Sequence, residues 1–174
     1  MINLSDYTVI EHLGHGAMGS VEKVRGTDGK IYALKTLSPQ LSKEKGYVKR
    51  FKREAEIAIQ LTHPNVVRVI GVGTDEHDVP FILMEYVEGK PLAQLIMERK
   101  VSAPDGFWIL RQAANALRAI HASNVIHRDV KPANVLIADD GRLFLVDFGI
   151  AKKEESAKLT QTGMLMGTPQ YMSP

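Results

Sequence analysis

The chain contains no cysteine. That excludes a disulfide framework, a thiolate metal site and a cysteine nucleophile, and it fits a reducing compartment. Aromatic residues make up only 6% of the sequence, with a single Trp. No apolar run approaches the roughly 18 residues that span a bilayer. An excess of one charge is missing too: 22 Lys and Arg face 20 Asp and Glu, a formal net charge of +2 that favours neither a nucleic-acid nor a membrane surface. Lys43, Lys45, Lys49, Arg50, Lys52 and Arg53 do form a local basic stretch. Acidic and apolar residues alternate with it, which reads as a solvated helix face. The N-terminus, Met1-Ile2-Asn3-Leu4-Ser5-Asp6-Tyr7, lacks the basic and apolar regions of a signal peptide, so the expectation is a mature, cytoplasmic chain. Internal repeats and low-complexity segments are absent. What remains is the composition of an ordinary globular domain, and 174 residues suffice to bury a core without a covalent or metal staple.

The pattern along the chain changes twice. Tyr7 to Leu13, Ser20 to Arg25 and Ile31 to Leu37 read as strands of an antiparallel meander, the last two joined by a Thr27-Asp28-Gly29 turn. From Ser42 to Leu61 the period becomes helical, with Val48, Phe51, Ala55 and Ile59 on one face, Ser42 as cap and Pro64 as stop. Two further strands are expected at Val66 to Thr74 and Val79 to Tyr86. After Glu88-Gly89 the texture turns helical, with helices at Leu92 to Arg99 and Ala103 to Ala122, then short β pieces at Val135 to Ala138 and Leu143 to Val146. Gly89 and Lys90 therefore mark a lobe boundary, and a site formed between two lobes would sit under that connection.

His127-Arg128-Asp129-Val130-Lys131-Pro132-Ala133-Asn134, followed by Asp147-Phe148-Gly149, places two metal-seeking side chains and one proton-accepting carboxylate on adjacent short loops. Such a set suits phosphoryl transfer: Asp129 as base, Asn134 and Asp147 as hard oxygen ligands. Gly14-His15-Gly16-Ala17-Met18-Gly19-Ser20-Val21 reads G-x-G-x-x-G-x-V between two strands, where backbone amides can cover phosphates; alone it could equally be a tight turn. Lys35 ends the apolar run Ala33-Leu34 on the third strand and requires a carboxylate partner from the following helix. Glu54 and Glu56 lie roughly 200° apart on that helix, so only one can face the lysine. Glu54 is chosen, because Ala55, Ala58 and Ile59 cluster with it. The 6 histidines lack metal-ligand spacing, which disfavours zinc and makes His127 a packing residue.

On these motifs the chain resembles the protein kinases of the Ser/Thr type, and most the eukaryotic-like Ser/Thr kinases of bacteria. The resemblance implies an α+β fold: residues 1–88 as an antiparallel β N-lobe with one major helix, and 89–174 as the first part of a mainly α C-lobe. It implies ATP and magnesium, with manganese as the alternative ion, and protein substrates bearing Ser or Thr. Gly14, Gly16 and Gly19 would shape the loop over ATP. Leu13 would join the nucleotide-binding set, Val21, Ala33 and Leu136 would sandwich adenine, and Met84 would be the gatekeeper. Glu85 and Val87 would offer backbone hydrogen bonds, and Lys35 would pair with Glu54. Val69, Phe148, His127 and Ala58 would form the apolar stack linking the lobes. Lys131 would touch the γ-phosphate, with Thr168 near it, and with Gly167-Thr168-Pro169 it marks the Ser/Thr branch. Arg128 beside Asp129 would receive a phosphate on Thr160 or Thr162, about −1.5 to −2 of added charge.

The sequence ends at Met172-Ser173-Pro174, one residue before the glutamate of the family's Ala/Ser-Pro-Glu motif. The expectation is an apolar face exposed on the Ala103 to Ala122 helix. Two functions follow, an active Ser/Thr kinase or a nucleotide-binding or interaction fragment without turnover. A small-molecule phosphotransferase is a weaker third.

Overall fold

Alternating and β-branched residues from Tyr7 to Leu37 form three strands, β1 (Tyr7–Gly16), β2 (Gly19–Gly26) and β3 (Ile31–Leu37). The computed structural model describes residues 2–16, 19–123, 125–127 and 129–147, with the side chain of Glu54 outside that set. The chain divides into two units, Met1–Glu88 and Gly89–Pro174.

In the first unit, β4 (Val69–Thr74) and β5 (Pro80–Glu85) complete a five-stranded antiparallel sheet of order β1-β2-β3-β5-β4. The turn between β2 and β3 is fixed locally: the Gly29 amide donates to the Gly26 carbonyl at 2.9 Å, the Lys30 amide to the Asp28 carboxylate at 3.0 Å. The Tyr32 hydroxyl donates to the same carboxylate at 2.8 Å, holding the Asp28 carboxyl below its usual range. Val24, Leu34, Phe81 and Leu83 form a core cluster on one sheet face, closed by Ile2, Leu4, Tyr7 and Tyr32.

The expected helix after β3 is two helices. Ser38 caps a single turn, α1 (Pro39–Ser42), and α2 (Lys45–Ile59) then starts afresh with Glu44 as N-cap. Ser42 is therefore not the cap of the long helix; its hydroxyl donates back to the Pro39 carbonyl at 2.9 Å, because Ser38-Pro39 already nucleates a turn that ends there. Phe51, Ala55 and Ala58 are buried, and α2 packs against β4 and β5. Ile59, expected on that face, is 38% exposed: eight residues beyond Phe51, it has rotated out of the stripe at the helix end. Glu56 is exposed. Val66 and Val67 are buried but precede β4, Val66 making only an isolated bridge, since the turn at His63 and Asn65 takes up the backbone there.

The second unit holds a three-stranded antiparallel sheet, β6 (Gly89–Pro91), β7 (Val135–Ala138) and β8 (Leu143–Leu145), in that order. A Cβ at Gly89 would run into the Ile137 carbonyl and Ala138, so the β6–β7 approach requires glycine. Among the described residues its α-helices are α3 (Leu92–Met97) and α4 (Ala103–Ala122). Ser102 and Asp105 close a reciprocal capping box on α4, which buries Ile109, Ala116 and Ile120 and packs on β8. Phe107 and Leu110 of α4 are 77% and 68% exposed.

Candidate active site

In the first unit the pairing register gathers the sequence-predicted residues on one sheet face. Lys35 lies opposite Val21 on β2 and Ile82 on β5, and Ala33 lies opposite Met84. Because side chains alternate along a strand, Val21, Ala33, Lys35 and Met84 share a face, and the core cluster with Leu34 and Leu83 occupies the other. Val69 lies opposite Met84 and is buried, as is Ala58 on α2.

The glycines of the β1–β2 hairpin divide into two kinds. Gly19 has φ +144°, and a Cβ there would collide with the Thr36 carbonyl, so the fold itself demands glycine. At Gly14 and Gly16 a Cβ would meet no atom of the described residues within 4 Å. Their bare backbone is thus open to an approaching group, the arrangement that phosphate binding by amides needs. Leu13 sits at an irregularity of β1 and is 42% exposed. The Glu85 amide is committed to the Arg68 carbonyl at 2.9 Å, so what Glu85 can present to a ligand is its carbonyl. Val87 is half-buried.

In the second unit Asp129, Lys131 and Asn134 form one cluster. Lys131 Nζ lies 3.1 Å from Asp129 Oδ2, with both side chains largely buried. Asn134, 7% exposed in a short 3-10 turn over Pro132–Asn134, donates its Nδ2 hydrogens to the Asp129 carbonyl at 2.8 Å and to Asp129 Oδ2 at 2.9 Å. With both hydrogens used, the amide atom left to meet a cation is Oδ1, a hard oxygen donor. That oxygen suits a hard divalent cation of the magnesium or manganese type.

Asp147 is placed through its neighbour. The Val146 amide donates to the Asn134 carbonyl at 3.0 Å, and the Val146 carbonyl accepts from His127 Nε2 at 3.1 Å. Val146 is thus clamped from both sides, and Asp147 follows with φ +54°, a left-handed conformation that costs a non-glycine residue on the order of 1 kcal/mol. Sequence reasoning missed Val146, since its part is played entirely by backbone atoms that any residue except proline supplies.

His127 is 1% exposed. Its Nδ1 accepts from the Asp129 amide at 3.3 Å, which assigns the ring hydrogen to Nε2. Burial accordingly pushes its pKa below the ordinary histidine value. The ring is a strut between two loops as well as a packing residue. Leu136 is half-buried on β7, opposite Phe144 and Pro91. The Glu54 side chain, Arg128, Phe148, Gly149, Thr160, Thr162 and Thr168 lie outside the described residues. Among the described residues no helix is long and apolar enough to cross a membrane.

The protein kinase domain family matches residues 7–174. A probable serine/threonine-protein kinase of Clostridium perfringens is 38% identical over 97% of this chain and 25% of its own length. Serine/threonine-protein kinase PknA of Mycobacterium tuberculosis is 36% identical over 97% of this chain and 40% of its own. The chain thus spans between a quarter and two-fifths of these curated relatives. Among solved structures, the Mycobacterium tuberculosis PknI kinase domain superposes with a TM-score of 0.77 at 34% identity, covering 90% of this chain and 66% of that one. Rad53, solved in complex with AMP-PNP, gives a TM-score of 0.73 at 33% identity over 83% of this chain and 38% of that one. Sequence and fold agree that this chain belongs to the protein kinase domain family.

Proposed function

We propose that the chain transfers the γ-phosphoryl group of ATP to Ser or Thr hydroxyls of protein substrates. The observation that carries this reading is the Asp129–Lys131–Asn134 cluster, tied through Val146 to Asp147. Asp129 accepts the proton of the attacking hydroxyl as its oxygen bonds to the γ-phosphorus and the bond to the β-phosphate bridge breaks. Asn134 and Lys131 hold that carboxylate in one orientation, and Lys131 also offers positive charge to the group in transit. Asn134 Oδ1 and Asp147 would hold a divalent cation, which would supply positive charge against the phosphate oxygens. Gly14 and Gly16 present amides, and Lys35, paired with Glu54, takes the α- and β-phosphates. Leu13, Val21, Ala33, Met84 and Leu136 take the adenine, with Glu85 and Val87 offering backbone groups. Nucleotide use is supported by the likeness to Rad53, solved with AMP-PNP. Lys131 and the Ser/Thr kinases among the relatives support hydroxyl substrates. Autophosphorylation at Thr160 or Thr162 belongs to the same reading, and mass spectrometry of an active preparation with both threonines unmodified would remove it.

The deciding measurement is transfer of labelled γ-phosphate to a Ser/Thr protein substrate, with magnesium and with manganese, beside an Asp129→Asn control. Loss of a general base lowers turnover by about 10²–10⁴-fold. Incorporation equal to that of Asp129→Asn would defeat the proposal. A second reading, a nucleotide-binding or interaction fragment without turnover, is favoured by the exposed Phe107 and Leu110 on α4. Its signature is Mg-ATP binding with no transfer above the control.

A further inference from the structure

The basic stretch of the sequence is divided by the fold. Arg50 is taken up locally, its Nε donating to the Gly46 carbonyl at 3.1 Å and its guanidinium lying 4.6 Å from the Tyr47 ring centre. Lys45, Lys49 and Lys52 stand four and three residues apart on α2 and therefore share a face. With Val48, Thr74 and Asp78 they line an open groove of about 360 Å³ between that helix and the β4–β5 turn. Among the described residues none of these three lysines makes an ion pair or hydrogen bond, so they repel one another across the concavity. Asp78 is the one carboxylate in the lining, while Asp75 is occupied by the His77 and Val79 amides at 2.9 and 2.8 Å.

We propose that this groove docks a short, extended, acidic segment of a protein partner, with Val48 receiving one apolar side chain. The spacing favours such a segment. Residues four apart on a helix are separated by about 6 Å along its axis, and same-face residues of an extended strand by about 6.6 Å. Carboxylates at alternate positions can thus meet Lys45 and Lys49 in turn, and Lys52 lies one further turn along. A single compact anion cannot satisfy charges spread over about 10 Å. The carboxylates at Asp78 and the adjoining Asp75 and Glu76 oppose a polyanion that runs on past the groove more than a short segment whose acidic positions end at the lysines. Half-buried Val48 gives the groove an apolar floor that charge alone would not use. None of these groove residues belongs to the proposed phosphoryl-transfer set, so the test stands apart from turnover.

The probe is a fluorescein-labelled peptide of alternating Glu and Ser around one central Leu, titrated with the full chain by fluorescence anisotropy. Saturable binding that weakens as salt rises is expected. Lys45→Gln, Lys49→Gln and Lys52→Gln together should weaken it by about tenfold or more, and Val48→Asp by about fivefold, both with unchanged circular dichroism. Should the triple variant fail to fold, Lys49→Gln alone should still weaken binding by about threefold. Binding undiminished in the folded variants would overturn the proposal. So would displacement of the peptide by an oligothymidylate of equal charge as effectively as by the unlabelled peptide, which marks a general polyanion surface.

Discussion

His127 and Asn134 show how much one buried polar side chain can determine. Each is hydrogen-bonded to the loop that carries Asp129, and each touches Val146, His127 through its ring and Asn134 through its backbone carbonyl. Above the ordinary histidine value of about 6.5 the folded and unfolded chains both keep His127 neutral. Below it the unfolded chain takes up a proton more readily than the buried ring does, so stability is full above that value and falls as pH drops through it. Urea denaturation at pH 7.5 and pH 5.5 should show this loss, and a His127→Phe chain should show less of it. Asn134→Ala removes the donor to a part-buried carbonyl and carboxylate and should cost about 1–3 kcal/mol in the same assay, besides its effect on metal-dependent transfer. Lys35→Met and Asp147→Asn should each abolish transfer in a phosphate-incorporation assay, whereas Glu56→Ala, exposed on α2, should not. Inactive Glu56→Ala with a retained fold would move the lysine's partner from Glu54 to Glu56. His127 was legible as a packing residue, but not as a hydrogen-bonded strut, because the groups it bonds at Asp129 and Val146 are backbone atoms that no side-chain identity records.

At the scale of elements, periodicity located helices and strands well where the pattern was long. It placed α4 at its observed bounds and marked β7 likewise. It failed at α1, where Ser38-Pro39 starts a separate turn, and at the start of β4, where buried valines belong to a loop. In both places a local turn competes with the regular element and wins. Burial decides which face of α2 matters: Phe51 is 2% exposed against β4 and β5, so Phe51→Ala should cost about 3–5 kcal/mol by thermal or urea unfolding. Ser102→Ala should cost about 1 kcal/mol, since it opens a cap whose two partners reciprocate.

For the molecule as a whole, each unit gathers its own candidate residues, the first on a face of its sheet and the second on the loop and 3-10 turn before β7. The exposed Phe107 and Leu110 fit the expected uncovered face of α4. Because both already face solvent, Phe107→Lys with Leu110→Lys should change stability by less than about 1 kcal/mol while reducing self-association in light scattering. A large loss of stability would mean that this face is covered in solution.

The sequence alone determined the family and supplied the proposed reacting groups. Those rest on chemical side chains at fixed short spacings, which a linear order preserves. Tertiary structure alone decided that Val21, Ala33, Lys35 and Met84 share a sheet face, that Val146 is clamped beside Asp147, and that three lysines surround a groove. Strand register, backbone hydrogen bonds and concavity arise between residues distant in the chain, and local spacing carries no record of them.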